Sequence, residues 1–173
     1  MTPSTDPSAG PVGRRRVGLF ALVATAVVVI DQLTKWWAVE RLDGHDPIEV
    51  LGDLLQLRFV LNPGAALGTG AGYTIVLSLI AVAVTVTLIV IAPRLRDTWW
   101  AVGLGLFLGG AVGNLTDRLF REPSFLRGHV VDFIDYAGFF VGNVADIALT
   151  VAAVVIIWRS WRGHRFDGTR EPS

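Results

Sequence analysis

The chain reads as an all-α membrane protein of four transmembrane helices carrying a small extracytoplasmic β-hairpin or sheet element. Three observations predict this class. Of its 173 residues, 52% are hydrophobic, and the mean hydropathy is +0.54, high for a soluble domain whose surface must carry many charges. Four apolar runs are each about 17 to 21 residues long, near the length a helix needs to cross the hydrocarbon core. Arginines gather beside alternate ends of those runs.

The first run, Val17 to Trp37, follows Arg14, Arg15 and Arg16. A cleaved signal peptide would share that opening, but Asp31, Gln32, Lys35, Trp36 and Trp37 follow directly without a small-residue cleavage signature. The second run is Tyr73 to Ala92, the third Trp99 to Leu115 and the fourth Phe139 to Trp158. Arg94 and Arg96 separate the second from the third, and Arg159, Arg162 and Arg165 follow the fourth. The positive-inside rule places these segments and both termini in the cytoplasm, with loops 38–72 and 116–138 outside. The expected organisation is a disordered N-terminal tail at 1–16, a membrane domain at 17–160 and a C-terminal tail at 161–173. Residues 1–13 and 163–173 are polar enough to read as unstructured. Within the first outer loop, Ile48 to Leu51 and Leu54 to Leu61 are strand-like and flank Gly52-Asp53, a hairpin signal. That element is a platform for an extended peptide or an ordinary loop.

The formal net charge is zero, so no basic field recruits nucleic acid. Cysteine is absent, which removes disulfides and thiolate chemistry. His45, His129 and His164 fall in separate segments without metal-ligand spacing, and neither a metal nor a cofactor is expected.

An ionisable group in a membrane segment costs about 2.5–3.5 kcal/mol on insertion scales unless it has partners, so such groups usually have a task. Asp31 and Lys35 are spaced i, i+4 and neutralise each other on one helix face. Asn114, Asp117 and Arg118 share the outer end of the third run, where an Asp117–Arg118 ion pair is the simplest reading. Asn143 and Asp146 lie about two turns into the fourth run, and Asp132 lies just before it. The small residues of Asn62-Pro63-Gly64-Ala65-Ala66-Leu67-Gly68 permit close backbone approach to a ligand. The second run and the cytoplasmic halves of the others carry no ionisable residue, which argues for a site reached from the outer leaflet.

Two nearby carboxylates in a water-poor pocket share one proton, an arrangement suited to amide hydrolysis by an activated water. Asp132 and Asp146 are the candidate pair; Asp135, three residues after Asp132, is a third that spacing alone does not reject. A Ser124–His129 mechanism lacks a nucleophile-elbow setting.

Five segments resemble the lipoprotein signal peptidase (signal peptidase II) family of intramembrane aspartic peptidases, in that family's order. They are Asp31-Gln32-Leu33-Thr34-Lys35, Asn62-Pro63-Gly64-Ala65-Ala66, Gly109 to Arg118, Val130 to Ile134 and Asn143-Val144-Ala145-Asp146. The resemblance implies that Asp132 and Asp146 are catalytic. It implies that Asn62, Gly64, Asn114, Asp117, Arg118 and Asn143 support or line the substrate site, with Asp31 and Lys35 organising the first helix beside it. The implied substrate is a diacylglyceryl prolipoprotein in the bacterial cytoplasmic membrane, cut just before its lipidated cysteine by an enzyme that works as a monomer among membrane lipids. Globomycin-type cyclic peptides are the implied inhibitors. Leu67 stands where the family usually has Phe, Gly142 where an aromatic is usual, and Arg121 to Arg127 lengthens a connection. The competing readings are a small transporter or channel component, for which broken midplane helices would speak, and a non-catalytic scaffold.

Overall fold

The computed structural model describes residues 15–64 and 73–170. The expected N-terminal tail, except Arg15 and Arg16, and the segment Ala65 to Gly72 therefore lie outside the described residues.

Four helices are long and apolar enough to cross a membrane. Helix α1 spans Val17–Leu42, α2 Thr74–Ile91, α3 Thr98–Phe120 and α4 Val144–Trp161. Helix α3 is central and packs against the other three. Its glycines allow the approach: a Cβ on Gly109 would stand 2.6 Å from Val27 Cβ and 2.8 Å from Ala24 O of α1. Small residues of this kind let membrane helices pack by backbone contact. Helix α2 instead shows Ile75, Val76, Leu79, Ile80, Val86, Ile89 and Val90 on its exposed surface, as a lipid-facing helix does.

At its 26 residues, α1 is about 39 Å long, more than the hydrocarbon core requires. Its surplus turns support a sheet. Ala38 and Leu42 pack with Val131 and Phe133 under four antiparallel strands in the order β1-β2-β3-β4. These are β1 Ile48–Glu49, β2 Leu55–Asn62, β3 Val130–Tyr136 and β4 Phe140–Gly142. The hairpin expected at Gly52-Asp53 forms: Leu54 N donates to Leu51 O at 3.1 Å across the turn, and Ile48 pairs with Leu57. The segment between α3 and α4 supplies β3 and β4, which hydropathy does not reveal. Asp132 therefore sits on a strand, opposite Val60.

The fourth span is shorter than its apolar run. Phe140 to Gly142 is strand, and α4 begins after Asn143, whose side chain accepts from Asp146 N while Asp146 accepts from Asn143 N. This capping box puts Asp146 in the first turn of α4 rather than two turns in.

The described part of the C-terminal tail, up to Arg170, is packed where its polarity suggests a loose segment. Phe166 packs on Trp100 with ring centroids 6.4 Å apart, and its carbonyl accepts from Arg96 N at 2.9 Å. The end of the bundle away from the sheet also carries charge, since Arg159 in the last turn of α4 pairs with Asp97, the N-cap of α3.

Candidate active site

Lys35 is the buried centre of the polar layer at the end of the bundle that carries the sheet. It is fully inaccessible and donates to Asp31 Oδ2 at 2.9 Å, Asp117 Oδ2 at 2.8 Å and Asn114 Oδ1 at 2.9 Å. The i, i+4 pair therefore forms as its spacing requires, but it reaches two further partners on α3. Asp117 turns to Lys35 and to Arg121 Nε at 2.8 Å, so the expected pairing with its neighbour Arg118 does not occur. Consecutive helix residues point about 100° apart, which explains the divergence.

Each aspartate in this layer also grips a backbone. Asp117 Oδ2 accepts from Val131 N at 3.2 Å, immediately before Asp132. Asp31 Oδ1 accepts from Ala145 N at 2.9 Å, immediately before Asp146. Lys35 binds both acids, so one ammonium sets β3 and the start of α4 relative to each other. The spacing between Asp132 and Asp146 follows. Gly113 leaves the needed room, because a Cβ there would lie 2.7 Å from Asp31 Oδ2.

Above this layer, Asp132 and Asp146 line one cavity of about 470 Å³ together with Asn62, Gly64, Asn114 and Arg118. Amides hold both carboxylates. Asp132 accepts from Asn143 Nδ2 at 2.7 Å and Asn62 Nδ2 at 2.8 Å. Asp146 accepts from Asn114 Nδ2 at 2.9 Å and from Asn143 N at 3.1 Å. Asn143 thus touches both acids, and Asn114 is oriented by Lys35 from behind. Neither carboxylate forms an ion pair among the described residues. Burial pushes Asp132 up to about 6; the amide bonds and Lys35 oppose the shift, while the charge of Asp146 adds to it.

Arg118 donates to the carbonyls of Gly64 and Pro63 and so fixes the end of β2, where Asn62 meets Asp132. Asn62 Oδ1 in turn accepts from Gly64 N at 2.9 Å. The rest of the small-residue segment after Gly64 lies outside the described residues.

Asp135 is separated from this group. Three positions along a strand reverses the face, and Asp135 pairs with Arg58 Nε at 2.5 Å while accepting from Gly138 N. Burial would raise it, but the Arg58 and Gly138 hydrogen bonds outweigh burial and hold it below the usual carboxylate range. Ser124 and His129 share no hydrogen bond; His129 N donates to Glu122 O instead. Sequence reasoning missed the apolar walls of the cavity, Val130, Phe140, Val141 and Leu149. Leu149 lies three residues beyond Asp146, a helical-face neighbour that the spacing does show.

The family model for signal peptidase (SPase) II matches residues 23–162. A lipoprotein signal peptidase of Rhodococcus jostii (strain RHA1) is 42% identical over 169 residues, covering 98% of this chain and 85% of the relative. Another, of Bifidobacterium longum subsp. infantis, is 49% identical over 154 residues, with 89% and 84% covered. Two bacterial membrane enzymes solved by the in meso method share the fold. One, at 2.3 Å resolution, has a TM-score of 0.75 and 26% identity, covering 95% of this chain and all of that one. The second, at 1.9 Å, has a TM-score of 0.73 and 29% identity, with 87% and 97% covered. With four spanning helices, the ordered motifs and relatives of this extent, the chain belongs to the signal peptidase II family of bacterial membrane peptidases that process prolipoproteins.

Proposed function

We propose that Asp132 and Asp146 are the catalytic pair that hydrolyses the peptide bond just before the diacylglyceryl cysteine of a prolipoprotein, releasing the signal peptide. The observation that carries this reading is that two carboxylates, held by neutral amides rather than cations, line one cavity at the outer end of the bundle. Buried together, the pair retains one proton. The ionised member takes a proton from water as that water attacks the scissile carbonyl. The protonated member gives its proton to the carbonyl oxygen; as the resulting gem-diol collapses, that carboxylate takes the hydroxyl proton back, and the member that received the water proton delivers it to the leaving amine. Asn143, bonded to both, keeps their separation constant through the proton exchange. Arg118 supplies positive charge on the cavity wall toward the developing oxyanion.

Both termini belong in the cytoplasm and the site faces the outer leaflet. Among described residues, the inner segments 15–16, 92–97 and 159–170 carry eight arginines against two aspartates. The outer segments 38–64 and 121–143 carry four arginines against eight acids. That polarity agrees with the positive-inside rule. A substrate anchored by its acyl chains keeps its scissile bond near the interface, within reach of a site at this level. A monomer holds every residue the chemistry requires. The transporter or channel alternative has no support from the relatives, and the spanning helices of the described residues are not interrupted at the midplane.

The test is cleavage of a lipidated and an unlipidated precursor by purified protein in lipid. Cleavage of the lipidated precursor alone, insensitive to chelators and blocked by a globomycin-type peptide, is the expected result. Equal turnover of both precursors would remove the lipid-dependent reading.

A further inference from the structure

A second, smaller groove of about 220 Å³ also reaches Asp146, beside the main cavity. Both spaces are bounded by Phe140, Asp146 and Thr150, so these three residues form a ridge between them. Asp146 and Thr150 stand one helical turn apart, and Phe140 closes the upper end. The ring of Phe140 is fixed from two sides. It stacks on Tyr136 with centroids 4.5 Å apart, and it lies against Gly142, where an added Cβ would come within 3.2 Å of Phe140 Cε2. The Thr150 hydroxyl donates to Asp146 O at 2.9 Å and is spent on backbone.

Apolar residues of α4 border each space: Ile147 and Val151, which are 43% and 44% exposed, line the smaller groove, and Leu149 lines the main cavity. Apolar walls set along a spanning helix suit acyl chains, which lie parallel to such a helix, better than peptide side chains, which project sideways from a backbone. Resting on the proposed function, we propose that this ridge splits the two acyl chains of the substrate lipid, one entering the main cavity and the other the groove of Ile147 and Val151. The branch point of the glyceryl group then straddles the ridge at Asp146, and the peptide bond before the lipidated cysteine is drawn to the aspartates. Phe140 is the specificity-determining residue, because it makes the site a fork rather than a single trough.

The experiment compares two synthetic lipobox peptides, one with a two-chain glyceryl cysteine and one with a single chain, on the full-length protein in detergent. Ile147→Trp fills the smaller groove at an exposed position and leaves the main cavity untouched. It is expected to raise KM for the two-chain peptide about tenfold, a loss of about 1.4 kcal/mol, with the one-chain KM and both kcat values unchanged. Phe140→Ala merges the spaces and is expected to narrow the wild-type preference for two chains, whereas Phe140→Tyr preserves it. Equal KM changes for both peptides in Ile147→Trp would overturn the ridge while leaving the proposed function standing. Failure of the wild-type protein to cleave either peptide would overturn both. Should Phe140→Ala not fold, Ile147→Trp decides alone.

Discussion

At the end of the bundle away from the sheet Asp97 meets Arg159, whose guanidinium also lies 5.4 Å from the Trp158 ring centroid. At the sheet end, Asp31 and Asp117 share the ammonium of Lys35, yet Asp132 and Asp146, one layer above, receive only amide hydrogen bonds among the described residues. Under the proposed function, the difference separates structural acids from reactive ones. Asp31 and Asp117 face a cation that fixes them in place. Asp132 and Asp146 are oriented by neutral donors instead, and burial raises Asp132 to about 6. On that reading the same side chain serves two purposes in neighbouring layers, and the partner decides which.

The largest expected break of this contrast comes from the amide-held pair. Asp132→Asn and Asp146→Asn should each reduce prolipoprotein cleavage by about 10⁴-fold or more, with membrane insertion retained. A single-turnover gel assay on purified protein checks this, and substantial activity in either variant would contradict the assignment. Lys35→Met attacks the other class. It leaves Asp31 and Asp117 without their shared cation, so unfolding in detergent should show about 3–5 kcal/mol of lost stability, larger than for either asparagine variant.

The pH dependence sharpens the comparison. Asp132 is raised from 3.8 to about 6 in the folded protein, so its burial opposes folding once it ionises. Its contribution is fully favourable below about pH 4 and is lost as pH rises through about 6, a change on the order of 3 kcal/mol. Thermal unfolding between pH 4 and 7 should show this decline in the wild-type protein and a flatter profile in Asp132→Asn. Asn114→Ala removes the amide between Lys35 and Asp146 and should lower kcat about 10²-fold, more than it changes KM. Asp135→Asn is the smallest effect. Its partner Arg58 is 40% exposed, so the pair contributes at most about 1 kcal/mol, and activity should stay within about threefold of wild type.

Much of this architecture is legible in the amino-acid sequence. The four spans follow from hydropathy, and the Asp31–Lys35 pair from helical spacing. The turn at Gly52-Asp53 follows from residue type. Strand β3 escapes because it is paired on both sides, by β2 and β4, and is buried along Val130 to Phe133, so no alternation marks it. For the same reason Asp132 and Asp135 look equivalent along the chain. On a strand, three residues separate opposite faces, and the ambiguity disappears. The start of α4 is signalled by Asn143 and Asp146, whose capping spacing is obscured by the apolar run that begins four residues ahead of it. The folded C-terminal segment is not legible, since one phenylalanine at position 166 decides it by finding Trp100.

Composition and periodicity alone determined that the chain spans a membrane four times, that its buried charges concentrate toward one end, and which acids were candidates. These are local properties, set by the transfer cost of each side chain and by helix geometry. Only the tertiary structure decided that Lys35 joins two acids from two helices, that those acids hold the backbones beside Asp132 and Asp146, and that Phe140 borders two neighbouring spaces beside Asp146. Such facts depend on contacts between residues as far apart as 114 positions, Asp31 and Ala145, which spacing along a chain does not encode.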